Sequence, residues 1–421
     1  MNEYSNPSRR PVIYDITRLM TRVLNDAPNG IDRIDLALAR YFTCRNANTD
    51  YVLLWTIMGP KLFPASMARD IISDLERHWR ELRDDGDDLY EAVVQRLLGP
   101  AAASSRIVRH ANSTRLPFVS MLAKYVMRRG RSLRNNAPNG AAYINSSHFP
   151  LEYRAHINWL FERPDIQPIF FIHDMLPIES PQYFWKAEPD KHRRRLRHIR
   201  ELRGRALVAS GTVASNVRTH FERDGYLIPT LQLAPPISRI FYSHRKIDTR
   251  LAARPYFLVC ATIEPRKNHV FLLLLWRSMA DLSDDTPALV IVGKRGWNAQ
   301  SVVGVLDRSN SVSRHVIEVS GLPTPALKKL MDNAVALLAP SFAEGFGLPL
   351  AEAAAVGLPV IAADIVPFRE MPRSNLTLID TLDGHGWLRA IQETLGRRQR
   401  PRVGLPPGPG FEEVIEGFLA A

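Results

Sequence analysis

Short apolar runs rich in β-branched residues recur along the chain, and the stretches between them carry apolar residues at helical spacing. One series comprises PVIYDIT (11–17), YVLLWTI (51–57), AYIN (142–145), PIFFI (168–172), ALVAS (206–210) and TLQLA (230–234). After Pro235-Pro236 and the polar stretch HRKIDTR a second series begins, with YFLVCA (256–261), ALVIVG (288–293), HVIEV (315–319), AVALLA (334–339), PVIAA (359–363) and LTLI (376–379). Strands alternating with helices predict parallel α/β sheets. The restart predicts two doubly wound domains joined near residues 235–254. Open sheets of this kind bind ligands at the carboxyl ends of their strands, so candidate chemistry is sought there.

Between residues 70 and 140 the rhythm is broken by a long, mostly helical insertion. Within it, FVSMLAKYVMRRGRSLRNN places Phe118, Met121, Leu122, Tyr125 and Val126 on one helical face, with Lys124, Arg128, Arg129, Arg131 and Arg134 beside or after them. Such a stripe suits packing on its own domain, with contact to an anionic bilayer as the competing reading. The basic run 190–206 has a narrow stripe of Leu196, Ile199 and Leu202, which predicts a surface helix leading into the next strand. The tail RVGLPPGPGFEEVIEGFLAA predicts a connector and a short amphipathic helix docking back on the first domain. The expected division is 1–240, with the insertion at about 70–140, then 241–396, and 397–421 for linker and helix.

Composition narrows the setting. A length of 421 residues favours two domains, and 45% apolar with 23% charged residues is ordinary for a folded chain. Cys44 and Cys260 are too few for a zinc site or disulfide framework, which points to a reducing, cytoplasmic compartment. The N-terminus lacks a signal-peptide core, and no run of about 18 apolar residues occurs. A net charge of +12 favours anionic partners. The basic runs are not interleaved with aromatics, which argues against nucleic acid.

The stretch SFAEGFGLPLAEAAAVGLPV (341–360) follows AVALLA and predicts a helix beginning near Leu348-Pro349, because proline fits a first helical turn. Glu344 then lies in the loop and Glu352 in the opening turn. Gly345 and Gly347 allow close backbone approach, and free N–H groups beside a positive helix end suit a phosphate. Carboxylates beside a phosphate suit sugar hydroxyls, so a sugar nucleotide satisfies every group. Singly, each glutamate has a plainer account, Glu352 as a helix-start stabiliser and Glu344 as a loop acid. In ATIEPRKNHVFLLLLW (261–276), Arg266 and Lys267 reach the same sheet edge, where two cations can neutralise a diphosphate leaving group.

The phrases TIEPRKN, VIVGKRGW and PSFAEGFGLPLAEAAAVGLPVIAAD, in order over about residues 255–370, resemble the segments of the retaining glycosyltransferases of family 4. The resemblance implies the GT-B fold, two doubly wound Rossmann-like α/β domains facing a central cleft. It implies that Glu344 contacts the donor sugar and Glu352 the ribose hydroxyls. Backbone groups at Gly345, Phe346 and Gly347 would meet sugar and phosphate, and Arg266 and Lys267 the diphosphate. Ala261-Thr262 replaces the Gly-Arg that usually opens the first motif, which leaves Arg266 as second cation. In the first half, YDITRLM and NGIDRID (29–35) resemble the strand and loop bordering the acceptor and donor phosphates, making Gly30 and Arg33 candidates. FIHDMLPIESPQYF resembles the strand-end histidine motif, with His173 beside the reacting sugar and a packed or capping histidine as the alternative. At Ser210 and Thr212, another strand-to-helix corner, capping explains the residues as well as binding does.

The activity implied is retaining transfer of a hexosyl group, mannosyl, glucosyl or rhamnosyl, from a nucleotide-diphosphate sugar. The acceptor is a hydroxyl of a glycan or lipid-linked oligosaccharide, in bacterial-type surface polysaccharide synthesis. No metal is expected, because cations and a helix dipole meet the diphosphate. The basic balance suits the cytoplasmic face of the inner membrane. A sugar-nucleotide epimerase, a phosphorylase and a non-catalytic binding subunit stay open as alternatives.

Overall fold

The computed structural model describes residues 10–22, 29–46, 49–56, 59–84, 86–99, 106–108, 130–283, 285–397, 404–405 and 410–420. In the first half the strands are β1 (Val12–Asp15), β2 (Tyr51–Thr56), β3 (Gly59–Pro64), β4 (Arg106–Val108), β5 (Arg131–Ser132), β6 (Ala142–Asn145), β7 (Gln167–Ile172), β8 (Arg205–Val208) and β9 (Thr230–Gln232). The second half contributes β10 (Tyr256–Cys260), β11 (Ala288–Val292), β12 (Val316–Ser320), β13 (Leu337–Ala339), β14 (Val360–Ala363) and β15 (Leu376–Ile379). They form two sheets, ordered β5-β3-β2-β1-β6-β7-β8-β9 and β15-β14-β13-β10-β11-β12-β4. Pairing is parallel except for β2 with β3 and β3 with β5.

Both faces of each sheet are covered, so strand residues alternate between two apolar cores. Val12 and Tyr14 enter one core of the first sheet and Ile13 the other. Tyr256 and Leu258 face one core of the second sheet, Phe257 and Val259 the opposite one. In the first sheet the order reverses between β1 and β6, and in the second between β10 and β13. A reversal splays the following loops apart and leaves a crevice at the carboxyl edge. The segments after β10 and β13 are the two that carry Arg266–Lys267 and Glu344.

The helical insertion is shared between the domains, a correction to its expected place in the first. Helix Ala65–Asp84 buries Ala68, Ile71, Ile72 and Leu75 in the first domain. Helix Gly86–Leu98 instead buries Leu89, Tyr90, Val93, Val94 and Leu97 in a second-domain core. Burying one such side chain is worth roughly 1.5–3 kcal/mol, so the five fix that helix to its new host. β4 then pairs with β12, Ile107 opposite Val319, and extends the second sheet. Tyr90 Oη donates to Asp248 at 3.0 Å and Arg250 holds Glu91 at 2.8 Å, fastening the helix further.

Of the stripe expected around Phe118, Met121, Leu122, Lys124, Tyr125, Val126, Arg128 and Arg129, all lie outside the described residues. Arg131 and Arg134 are exposed. Helix Glu188–Glu201 buries Leu196 and Ile199 and turns Arg193, Arg194 and Arg197 outward. Helix Phe411–Ala420 lies on the first domain, where Ile415 and Leu419 join the core and Arg45 bonds Glu416. Among the described residues no helix is long and apolar enough to cross a membrane.

Candidate active site

The loop after β10 begins its approach to the cleft at Glu264. A short helical turn, Pro265–Lys267, ends at Asn268 in the left-handed conformation (φ 55°), and helix His269–Leu282 follows. That turn aims Arg266 and Lys267 at the loop after β13. Arg266 Nη1 donates to Glu344 Oε2 at 2.8 Å and to the Ala343 carbonyl at 3.1 Å. Lys267 Nζ and Ser341 Oγ both donate to Glu344 Oε1. Arg266 Nε stands 2.6 Å from the buried carboxylate of Glu264.

These groups are nearly water-free, with Glu344 10% and Lys267 14% exposed, so their charges depend on one another. Burial alone would raise the pKa of Glu344, but Lys267 and Arg266 overcome it and hold the carboxyl at about 2. Burial, then repulsion from Arg266, lowers Lys267. Burial likewise raises Glu264 against the pull of Arg266. Two carboxylates and two cations thus neutralise each other at the crevice of the second sheet.

Gly347 takes φ 96°, which an L side chain rarely adopts, and an added Cβ would come within 2.6 Å of the Phe368 ring. This turn starts helix Leu348–Ala355 with Pro349 in its first turn. The backbone N–H groups of Gly345, Phe346 and Gly347 bond to none of the described residues. Free N–H groups beside a helix start are the physical basis of an anion site.

Glu352 departs from expectation. The helix opens at Leu348, so Glu352 is its fifth residue, in the second turn, too far along to meet the free N–H groups. Its side chain is 1% exposed and pairs with Arg33 of the opposite domain. Glu352 Oε2 and Arg33 Nε are buried without a hydrogen-bond partner among the described residues. Burial raises the pKa of Glu352, and Arg33 opposes the rise.

The first domain supplies the facing wall. Asn29 caps helix Gly30–Arg45 through a reciprocal pair with Asp32, which explains the spacing in NGIDRID. A Cβ on Gly30 would lie 3.6 Å from Leu348 Cδ2, so the first turns of two helices meet across the cleft. A Cβ on Gly345 would come within 2.5 Å of the His173 carbonyl, which is why glycine stands there. Ser210 Oγ caps its own helix at Val213 and also donates to the Gly345 carbonyl at 2.7 Å. Thr212 N donates to Glu370 Oε1 at 2.7 Å, beside Gly211 N to Oε2 at 2.8 Å. Both corner residues therefore bridge the domains.

The His173 ring is held away from Gly345: its Nε2–H donates to the Ser146 carbonyl at 2.7 Å and it stacks on Phe171 at 4.6 Å. Burial pushes His173 down to about 4, so it is neutral near pH 7 with Nδ1 as its acceptor. At one rim, Tyr183 stacks on Phe342 (6.1 Å, 4° between planes), and Trp297 Nε1 donates to the Tyr183 carbonyl at 2.7 Å. A space of about 330 Å³ is lined by Cys260, Ala261, Lys267, Ser341, Glu344 and Gly347.

Of the candidate site residues, Arg266 and Lys267 meet Glu344, Arg33 meets Glu352 and Ser210 meets the Gly345 carbonyl, while Thr212 bonds Glu370 and the His173 ring bonds Ser146. Sequence reasoning missed Glu264, Ser146, Glu370 and the Tyr183–Phe342–Trp297 clasp. Glu264 had a signal, being the acid two positions before Arg266 in IEPRKN. The others depend on contacts between distant segments.

Residues 243–401 match the family model described as glycosyl transferases group 1. That match takes in β10 to β15 of the second sheet, and the chain has the GT-B fold. Among curated relatives, the serotype-specific mannosyltransferase WbdA of Escherichia coli is 27% identical over 55% of this chain. The chain spans 33% of the length of WbdA. The O-antigen chain mannosyltransferase RfbU of Salmonella typhimurium is 27% identical over 52% of this chain and 59% of its own. Among solved structures, Anabaena Alr3699/HepE in complex with UDP-glucose superposes with a TM-score of 0.58 at 14% identity, covering 98% of this chain and 94% of that one. WaaG, a glycosyltransferase involved in lipopolysaccharide biosynthesis, gives a TM-score of 0.52 at 12% identity, covering 97% and 95%.

Proposed function

We propose that the protein is a retaining glycosyltransferase that moves a hexosyl group, mannosyl in the first instance, from a nucleotide-diphosphate sugar to a glycan hydroxyl in surface polysaccharide assembly. The observation that carries this reading is the convergence at one crevice of Lys267, Arg266 and Glu344 with the unbonded N–H groups of 345–347. The mannosyltransferase names of WbdA and RfbU support the sugar.

In this reading the diphosphate lies between the helix starts at Gly30 and Leu348, where both dipoles favour negative charge. Lys267 and Arg266 turn from Glu344 to the diphosphate, and Glu344 then accepts from hydroxyls of the donor sugar. Glu352 receives the ribose hydroxyls once Arg33 turns to phosphate. The acceptor oxygen attacks the anomeric carbon on the face from which the diphosphate leaves. The C–O bond to phosphate breaks as the new C–O bond forms, and the acceptor proton passes to the departing phosphate oxygen. Configuration is retained, and the cations lower the barrier by stabilising charge that develops on the leaving group. His173 orients the sugar through its neutral ring or adjoining backbone. No metal is needed in this scheme.

A panel of GDP, UDP, dTDP and their hexosyl derivatives, scored by thermal stabilisation in the presence and absence of EDTA, tests it. One nucleotide series is expected to raise the melting temperature in both conditions. No stabilisation by any member would end the donor-site reading, and stabilisation lost in EDTA would end its metal-free part.

We further propose peripheral contact with an anionic membrane at its cytoplasmic face, so that the acceptor can be lipid-linked. Trp185, 62% exposed, and the outward Arg194 and Arg197 support it. Co-sedimentation with phosphatidylglycerol vesicles at low salt, released at high salt, is the expected result. Protein that stays in the supernatant at low salt refutes it.

A further inference from the structure

The crevice of the first sheet, between β1 and β6, holds a group of arginines that the donor reading leaves unused. Arg18, in the short helix Thr17–Thr21 after β1, is 14% exposed. Its Nε donates to Asp32 Oδ1 at 3.2 Å, and its terminal Nη atoms bond none of the described residues. Arg22, its side chain 36% exposed, has Nε 3.8 Å from the same oxygen, and that Nε has no hydrogen-bond partner among the described residues. Asp32 is itself fully buried and also accepts from Asn29 N at 3.1 Å, so its second oxygen is occupied.

This balance differs from that of three other partly buried arginines, while the buried Arg205, with no carboxylate partner among the described residues, bonds Gln167 and lies over the Phe418 ring. Arg195 is met by Glu152 and Glu188, Arg295 by Asp307 and Glu318, and Arg45 by Asp50 and Glu416. Each of those guanidiniums has two carboxylates. Among the described residues Arg18 and Arg22 share one, and Arg33 spends its bond on Glu352 across the cleft. Guanidinium N–H groups left unpaired in a partly dry site are costly, and an anion is the ligand that satisfies them. Arg18 also lies within electrostatic reach of His173 and His148, so the surplus charge faces the reaction side of the cleft.

We propose that Arg18 and Arg22 form an anion subsite of the acceptor, receiving a phosphate or carboxylate that the acceptor carries close to the hydroxyl it donates. The inference rests on the glycosyltransferase reading and adds the acceptor's chemical class to it. Two sources share that chemistry, a prenyl diphosphate and an acidic sugar.

The test uses the full chain, with the donor site kept full by the nucleoside diphosphate that stabilises it best. Citronellyl diphosphate and methyl glucuronoside are titrated separately by calorimetry. One of them is expected to bind at a single site, and its identity names the source. Arg18→Gln and Arg22→Gln should each weaken that binding by about tenfold, while the nucleotide Kd stays within about twofold of wild type. Arg18→Lys, which keeps the charge, should lose less than Arg18→Gln. The subsite is refuted if neither probe binds nucleotide-loaded wild type, if both Gln variants bind the probe as wild type does, or if nucleotide affinity falls in step with probe affinity. A wild type that takes up no nucleotide overturns the donor-site reading first, and this inference with it.

Discussion

Lys267→Ala is expected to weaken binding of the best nucleoside diphosphate by about 100-fold, since truncating a buried charge partner costs about 2–5 kcal/mol and each ~1.4 kcal/mol is tenfold. The ammonium group is desolvated before any ligand arrives and is held charged by Glu344, so its preorganisation is already in place. The same change alters the acid stability. Glu344 titrates at about 2 against an ordinary value of 4.5. A depressed carboxyl pKa gives stability that is complete above the ordinary value and disappears as pH falls through the folded one. Without Lys267 one of two opposing cations is gone, the folded pKa rises, and the melting temperature should vary less with pH across that acid window. Calorimetric titration and melts from about pH 5 downward read both effects. An unchanged nucleotide Kd would remove Lys267 from the site.

Arg33→Ala is expected to destabilise the protein by about 3 kcal/mol, the low end for breaking a buried ion pair, because Arg33 keeps 21% exposure while Glu352 has 1%. The deficit carries a pH signature. Glu352 has a raised pKa, so the folded state keeps its proton longer than the unfolded chain does. A raised carboxyl pKa favours the fold below the ordinary value and costs stability as pH climbs through the folded value. Arg33 limits that rise. Its loss should therefore be nearly silent in acid and expressed as pH climbs through the folded value of Glu352, and adding Glu352→Gln should recover most of it. A deficit that is flat with pH, or that Glu352→Gln leaves untouched, would mean Arg33 acts through packing and not charge.

The apolar runs made most of the two sheets legible, because buried parallel strands are unbroken β-branched segments. The exceptions have physical causes. β3 reads GPKLFP, with glycine and prolines at its ends, so its pattern is that of a turn; it is an antiparallel hairpin partner of β2. β4 is three residues long, and its partner β12 lies over two hundred positions away, a pairing that no local window contains. The site divides in the same way. Glu344, Lys267 and Arg266 sit on two loops whose strands could be recognised, so their meeting followed from the topology. The bond from Arg33 to Glu352 and those from Ser210 to Gly345 and Thr212 to Glu370 depend on how two domains face each other, which periodicity does not encode. Placing Glu352 in the opening turn was an error of one turn, arising from the assumption that an acid near a helix start serves that start.

The transfer of helix Gly86–Leu98 and β4 to the second sheet bears on how the polypeptide is made. A ribosome releases these residues long before β10 to β15 exist, so their apolar faces wait for a host that has not been synthesised. A cut at the linker near residue 241 would strip β12 of its neighbour and present a bare sheet margin, the usual template for aggregation. Separate expression of the second half should thus give insoluble material unless residues 86–108 are supplied with it. The two halves are interlaced like clasped hands, and the boundary between the sheets does not coincide with any single cut in the sequence.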